Sequence, residues 1–201
     1  MFYEKVNTYK LKKIVNSSSV LKDRKNIIAL GIDQGYANLG YAIIKYNIHT
    51  DTYKVLKFGT IITNSKLEIQ HRLKIIYDKL DIIIKKYPID IISCESIFVN
   101  GIRNSSGQKT RNKSASIVKT NMSTGLIYLL SSQHNLKIYS FPPTTIKKHL
   151  TGSGKADKDE VIKVVEDLSK KNNIIIKTNH ESDAIAIGIT AISAFIDNLL
   201  S

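Results

Sequence analysis

Four side chains in this sequence carry groups that bind metal ions or move protons: Asp33, Glu95, His180 and Asp183. Asp33 ends one run of apolar residues, Glu95 lies near the end of another, and His180 and Asp183 open the last predicted helix. Residues three apart on a helix share a face, with Cβ atoms about 5–6 Å apart. Converging carboxylates repel each other unless a cation lies between them, and oxygen ligands with one imidazole suit Mg²⁺ or Mn²⁺. Two such ions are the usual device for phosphodiester hydrolysis, so these residues predict a nuclease.

Each of the four residues also has an ordinary structural explanation. Asp33 could cap the tight turn at Gln34–Gly35, and Glu95 could form an ion pair at a strand end. The dipole at the start of a helix would favour Asp183, and a lone His180 is a common polar residue there. A buried carboxylate without a partner is strongly disfavoured. The structural explanations supply backbone N–H groups or a basic side chain as that partner, whereas the catalytic explanation supplies a metal ion.

The composition bounds the protein's class and its partners. A length of 201 residues suits one well-buried domain. Thirty Lys and Arg against 17 Asp and Glu give a net charge of +13, which favours nucleic acid as the partner. No apolar run approaches the ~20 residues that span a bilayer. The single Cys94 excludes an internal disulfide and is typical of a reducing, cytoplasmic setting.

The pattern of apolar residues predicts a mixed β-sheet flanked by helices, a fold of α/β class. Residues 1–26 form a Lys-rich leader with too few apolar residues for a core, and 27–201 form the domain. Reactive groups in such folds collect at strand ends and helix termini. Strands are predicted at 27–33, 39–47, 53–63, 89–99 and 136–141, and helices at 66–87, 115–133, 142–150, 157–171 and from about 180 to 199.

Four segments in order resemble the motifs of the RuvC-type Holliday junction resolvases, which belong to the RNase H-like superfamily. The resemblance runs from about residue 27 to 198. The matching segments are GIDQGYANLGYAII, CESIFV, PTTIKKHLTGSGKADKDEVIKVV and HESDAIAIGITA. This resemblance implies an RNase H-like fold. It also implies the activity of a crossover junction endodeoxyribonuclease of DNA recombination and repair, which would act on branched DNA as a homodimer.

The resemblance also implies roles for particular residues. Asp33, Glu95, His180 and Asp183 would be the catalytic set that binds two Mg²⁺ ions, with Mn²⁺ as a substitute. Further residues would contact DNA: the phosphate-binding Lys147 and Lys158, the base-stacking Phe98, and the basic side chains Arg103, Lys109, Arg111 and Lys113 of a long loop at 100–113. The predicted helix at 115–133, rich in small and apolar residues, is the candidate dimer interface.

Three other functions remain as alternatives. A less selective flap or replication-fork endonuclease would share the fold and the site. An actin-like ATPase would need a second phosphate loop and a second domain, and neither is found in the sequence. A binding-only protein for branched DNA would be expected to lack at least one of the four metal-binding residues. The composition, rich in Ile, Lys and Asn, does not separate a bacterial from a phage source.

Overall fold

A computed structural model describes residues 24–96 and 111–198 of the chain. Five strands and five helices lie in these two segments. The strands are β1 (Asn26–Asp33), β2 (Asn38–Asn47), β3 (Thr52–Ile62), β4 (Ile91–Glu95) and β5 (Lys137–Phe141). The helices are α1 (Ile69–Lys86), α2 (Arg111–Gln133), α3 (Pro143–Thr151), α4 (Lys158–Asn172) and α5 (Asn179–Asn198).

The strands form one mixed sheet in the order β3-β2-β1-β4-β5. The first three strands form an antiparallel meander, whereas β4 runs parallel to β1 and β5 runs parallel to β4. The α/β fold with helices around a mixed sheet is therefore confirmed. Since β1 and β4 are parallel neighbours, their carboxyl ends lie at the same edge of the sheet.

Two hydrophobic clusters cover the two faces of the sheet, because side chains alternate along each strand. On one face, Ile27 and Ala29 of β1 pack with buried residues of α3, α4 and α5. On the other face, Leu30 and Ile32 pack with buried residues of α1 and α2. Cys94 belongs to this second cluster and is fully buried.

The alternation also decides where the strand-end carboxylates point. Asp33 continues the series Ile27, Ala29 and Gly31, so it lies on the α5 face of β1. On β4, the Ser93 hydroxyl donates to the Ile187 carbonyl of α5 at 3.3 Å, which places Glu95, two residues on, toward α5 as well.

The prediction that a loop extends to residue 113 is wrong, because Arg111 and Lys113 belong to the first turn of α2. No Gly or Pro interrupts the sequence between Arg111 and the predicted helix start at residue 115, and Arg and Lys are good helix formers. Residues 97–110 lie outside the described residues, and so do the predicted end of β4 and the rest of the loop.

The predicted leader also lies outside the described residues, apart from its last three. Arg24 forms an ion pair with Asp90, and the Ile48 N–H donates to the Lys25 carbonyl at 3.0 Å. Strand β1 begins at Asn26, and the domain boundary at residue 26 stays a prediction. None of the helices described in 24–96 and 111–198 is long and apolar enough to cross a membrane.

Candidate active site

The parallel pairing of β1 with β4 brings Asp33 and Glu95 to one edge of the sheet. The register pairs Ile32 with Cys94, so the residue after each is an acid at a strand end. Both are partly buried, with 19% of the Asp33 side chain exposed. The chain thus places two carboxylates on neighbouring strands, next to the helix that carries the other two predicted site residues.

Helix α5 lies very close to the sheet because glycines occupy the contact. A Cβ on Gly31 would lie 2.2 Å from the Ala184 carbonyl oxygen and 2.4 Å from the Gly188 nitrogen. A Cβ on Gly40 would lie 2.0 Å from the His180 carbonyl oxygen. Any larger side chain would hold the helix away, since contacts under 3.0 Å to backbone require a shift. The glycines therefore allow the start of α5 to lie over the end of β1.

This approach puts His180 in direct contact with Asp33. The imidazole Nδ1 and the carboxylate Oδ2 are 2.6 Å apart, in a hydrogen bond whose donor depends on the tautomer. The His180 side chain stays 41% exposed. The imidazole is therefore oriented by a carboxylate and still reachable from solvent, the arrangement of a group that can accept or release a proton.

The other two carboxylates are held in an environment that disfavours their charge. Burial raises the pKa of Glu95, and the negative charges of Asp33 and Asp183 raise it further. Burial and Asp33 likewise raise the pKa of Asp183, although Lys158 and His180 act in the opposite direction. Mutual repulsion of this kind is relieved by a cation among the carboxylates.

The donor set fits a hard divalent cation. Three carboxylates and one imidazole are ligands suited to Mg²⁺ or Mn²⁺, and among the described residues no hydrogen bond or salt bridge engages the Glu95 or Asp183 carboxylate. The side chains are not drawn together as around a bound ion: in 24–96 and 111–198, no three His, Cys, Asp or Glu form a group able to hold one. One oxygen of Asp33 is instead taken up by His180.

The first turn of α5 is stabilised by a capping box formed by Thr178 and Glu181. The Glu181 N–H donates to Thr178 Oγ1 at 3.2 Å, and the Thr178 N–H donates to Glu181 Oε2 at 3.3 Å. Glu181 Oε2 also accepts the Lys177 N–H at 2.8 Å. Glu181 thus points away from the site, and the T-x-x-E pattern in the sequence was the signal for its capping role.

The loop between β1 and β2 is held by residues that sequence reasoning missed. The Arg72 guanidinium lies 3.9 Å from the centre of the Tyr36 ring, and its Nε donates to Thr63 Oγ1 at 2.9 Å. The Thr63 hydroxyl donates in turn to the Tyr36 carbonyl at 2.8 Å. On the other side of the loop, Gln34 Oε1 accepts the backbone N–H of Glu95 at 3.0 Å. Nothing in the sequence around Arg72 indicated that this helix residue would be buried against Tyr36 and Thr63.

Of the predicted DNA-binding residues, the structure describes the side chains of Lys147 and Lys158. Lys158 is the first residue of α4 and lies near enough to Asp183 to affect the pKa of its carboxyl. Lys147 lies in α3. Of the remaining predicted contacts, Phe98, Arg103 and Lys109 lie outside the described residues, and the side chains of Arg111 and Lys113 are likewise not described.

Comparison with known proteins decides the family. Residues 29–191 match the family described as crossover junction endodeoxyribonuclease RuvC. The chain belongs to this family. The match covers both strands that carry acids, the basic segment and the start of α5, so it includes all four candidate site residues. Membership in a nuclease family excludes the actin-like ATPase alternative.

Bacterial members of the family are similar over nearly their full length. The crossover junction endodeoxyribonuclease RuvC of Alkaliphilus oremlandii is 35% identical over 163 residues, 81% of this chain and 91% of the relative. That of Halothermothrix orenii is 36% identical over 163 residues, 81% of this chain and 90% of the relative. The Rickettsia conorii protein is 33% identical over 166 residues, 83% and 97% of the two chains. These bacterial relatives give no support to the phage source that the composition left open.

Solved structures show the same fold. Thermus thermophilus RuvC superposes with a TM-score of 0.68 at 17% identity, covering 86% of this chain and 98% of that chain. The same protein in complex with a Holliday junction substrate gives a TM-score of 0.71 at 18% identity, covering 86% and 97%. The predicted RNase H-like sheet is thereby confirmed as the RuvC fold.

Proposed function

We propose that this protein resolves Holliday junctions by hydrolysing phosphodiester bonds at the carboxyl edge of its sheet, with Asp33, Glu95, His180 and Asp183 as the catalytic residues. The observation that carries the proposal is the family match over residues 29–191, which include all four residues. The geometry supports it, since β1, β4 and α5 converge on one partly buried, solvent-accessible point. Because cellular DNA would be the substrate, we place the activity in the cytoplasm.

We propose two Mg²⁺ ions, with Mn²⁺ as a substitute, as the cofactors of this site. When bound, such ions activate the attacking water and stabilise the leaving oxygen. Asp33, Glu95, Asp183 and His180 would hold them, since a cation relieves the repulsion among the three carboxylates. His180 would orient or deprotonate water through the imidazole that Asp33 aligns.

A less selective fork or flap endonuclease remains the second candidate, because it would use the same residues on the same fold. Synthetic four-way junction, replication fork, 5′ flap and linear duplex substrates of one sequence, cleaved in parallel with Mg²⁺, separate the two. Paired symmetric cuts in the four-way junction and slow cleavage of the others support junction resolution. Equal cleavage of fork or flap would replace it by the broader activity.

We further propose that Lys147 and Lys158 bind DNA phosphates beside the site. Their support is the closeness of Lys158 to Asp183 and the position of Lys147 on α3, whose buried Ile146 and Leu150 belong to the same cluster as α5. Phe98 and the basic residues of the predicted loop stay as candidates for base stacking and contact with a duplex arm: Phe98, Arg103, Lys109, Arg111 and Lys113.

Replacing Lys147 and Lys158 together by Gln should weaken junction binding and make it less sensitive to salt. Each phosphate contact contributes about −0.9 to the slope of log affinity against log salt concentration. The slope for the double variant should therefore be less negative by about 1.8, the sum of two such contacts. Band shifts in chelator over a range of salt concentrations measure this slope. Lys85→Gln is the matched control, because Lys85 pairs with Asp81 on α1, the opposite face of the sheet. A wild-type slope in the double variant would remove both lysines from the interface.

We also propose that the protein forms a dimer through α2, since a two-fold dimer is the simplest way to make two symmetric cuts. Four large hydrophobic residues of this helix are 40–51% exposed, and three of them lie on one side: Val118, Met122 and Leu129. Together with Gly125, whose added Cβ would meet no atom within 4 Å, they form one stripe at helical spacing. The opposite side of α2 packs on the core through Ile127 and Leu130. A two-fold axis across the stripe would bury it against its own copy.

Burial within the subunit limits which residues of α2 could take part in the proposed interface. Ser123 is fully buried within its own subunit, and Leu126 packs against the core cluster of α1 and the sheet. Neither is therefore a test of dimer contact, whereas Met122 lies in the centre of the exposed stripe.

Met122→Asp is expected to convert the dimer into a folded monomer that no longer makes paired cuts. A charge at the centre of an apolar interface is left desolvated and unpaired, which costs several kcal/mol. Light scattering gives the mass, and a cruciform plasmid that is linearised only by two coordinated cuts reports pairing. Ile82→Asp is the control, since Ile82 is an exposed apolar residue on α1. An active dimer of Met122→Asp would place the interface elsewhere.

A further inference from the structure

Gln34 directly follows Asp33, yet its side chain turns away from solvent and reaches the neighbouring strand. Only 7% of the residue is exposed. Its Nε2 donates to the Glu95 carbonyl oxygen, and its Oε1 accepts the Glu95 N–H at 3.0 Å. One side-chain amide thus satisfies both polar backbone groups of Glu95 on the β1 side.

This pair of hydrogen bonds replaces the backbone hydrogen bonds that β1 and β4 would form if their pairing continued by one residue. Backbone pairing between β1 and β4 reaches Ile32 opposite Cys94. Beyond it the chain turns at Gln34, while Glu95 is still paired on its other side with Phe141 of β5. The side-chain amide of Gln has an N–H donor and a C=O acceptor, as a backbone peptide group does. Gln34 therefore extends the ladder by one residue with a side chain in place of backbone.

The extension acts on the point where the two strand-end carboxylates must be held near each other. Asp33 and Glu95 carry like charges that repel in the absence of a cation. Among the described residues, no backbone hydrogen bond joins the two strands beyond the pairing of Ile32 with Cys94. A tie between residue 34 and the backbone of residue 95 fixes the spacing of the two strand ends against that repulsion. The same tie keeps the N–H and the carbonyl of the partly buried Glu95 paired, and backbone polar groups away from water are rarely left without a partner.

We infer that Gln34 is a positioning residue that sets the separation of Asp33 and Glu95 and so determines how tightly the site binds divalent metal. This inference rests on the proposed function, in which both carboxylates bind metal. Residues that orient metal ligands typically change metal affinity or activity about 10- to 100-fold when they are replaced. Gln34 does not touch the substrate or the ion, so its effect should lie in metal affinity and leave junction binding unchanged.

The experiment compares the full-length Gln34→Met variant with the wild type. Met has similar length but neither hydrogen bond. Calorimetric titration of Mn²⁺ into the DNA-free protein should show about 10- to 100-fold weaker binding, while junction binding in chelator stays at the wild-type level. Cleavage should recover at high Mn²⁺ concentration. Gln70→Met, an exposed position at the start of α1, is the matched control and should behave as wild type in each measurement.

A second variant, Gln34→Asn, keeps the amide but is one methylene too short to span both bonds, and it decides the matter if Gln34→Met does not fold. It should weaken Mn²⁺ binding in the same direction. Wild-type Mn²⁺ affinity in the folded variant, with Glu95→Gln inactive, overturns the positioning role and leaves the proposed function intact. Normal cleavage by Glu95→Gln and Asp33→Asn would instead overturn the proposed site itself.

Discussion

Asp33→Asn, Glu95→Gln and Asp183→Asn should each reduce cleavage of a synthetic four-way junction by at least about 100-fold. Each change keeps the shape of the side chain and removes a charge that would hold metal, and losing one preorganised electrostatic partner of a transition state costs about 100- to 1,000-fold. Junction binding in chelator should remain close to wild type, because none of the three contacts a phosphate in this proposal. Single-turnover cleavage and band shifts on the same preparations measure the two effects.

Two of these substitutions, Glu95→Gln and Asp183→Asn, should also stabilise the protein when metal is removed. The pKa of Glu95 and of Asp183 is raised in the fold, so ionisation at neutral pH opposes folding, and stability increases as the pH falls through those pKa values. Glu95→Gln mimics the protonated acid, so it should melt at a higher temperature than wild type in chelator and gain less from added Mn²⁺. Asp78→Asn, an exposed acid paired with Lys74 on α1, is the control for the stability measurement.

For the cleavage prediction, wild-type activity of Asp33→Asn would refute the site.

His180→Asp separates two roles of the imidazole. A carboxylate can replace an imidazole as a ligand of a hard metal, so partial activity indicates that His180 serves mainly in metal binding. Complete loss, with Mn²⁺ affinity retained, indicates that the ring itself handles the proton of water.

Gly40→Ala should both destabilise the fold and abolish cleavage. The new Cβ would lie 2.0 Å from the His180 carbonyl oxygen and 2.6 Å from its carbonyl carbon. Backbone cannot rotate out of the way, so the start of α5 must move from the sheet and take His180 away from Asp33. Such overpacking destabilises by about 1–3 kcal/mol, occasionally more, and each kcal/mol lowers the melting temperature of a chain of this size by about 2–4 °C.

Gly59→Ala on the neighbouring strand is the matched control for this prediction. The three atoms nearest to its added Cβ belong to the Tyr41 side chain, the nearest at 3.1 Å, and a side chain can shift. Its stability should stay within about 0.5 kcal/mol of wild type, with normal cleavage. If Gly40→Ala melted and cleaved like Gly59→Ala, the contact between β2 and α5 would not position the site.

Local pattern was enough to predict most of the elements. The strands around 27–33, 39–47 and 53–63 are confirmed within one or two residues, because alternation and turn residues act over short distances. The helix before Pro88 begins three residues later than predicted and ends at Lys86. The start of α2 was missed because a basic stretch was interpreted as a loop, although its residues favour helix.

The sequence by itself also determined which residues have the right chemistry, since acids at the ends of apolar runs and an i, i+3 pair are visible in one dimension. It did not determine how they meet. Tertiary structure decided that β4 lies beside β1 and parallel to it, that glycines let α5 approach to backbone contact, and that His180 bonds directly to Asp33. It also decided that Gln34, which local pattern assigns only to a turn, spans to Glu95. These contacts join residues 61 and 147 positions apart, and such separations leave no periodic trace in the chain, because they depend on packing whole elements against one another.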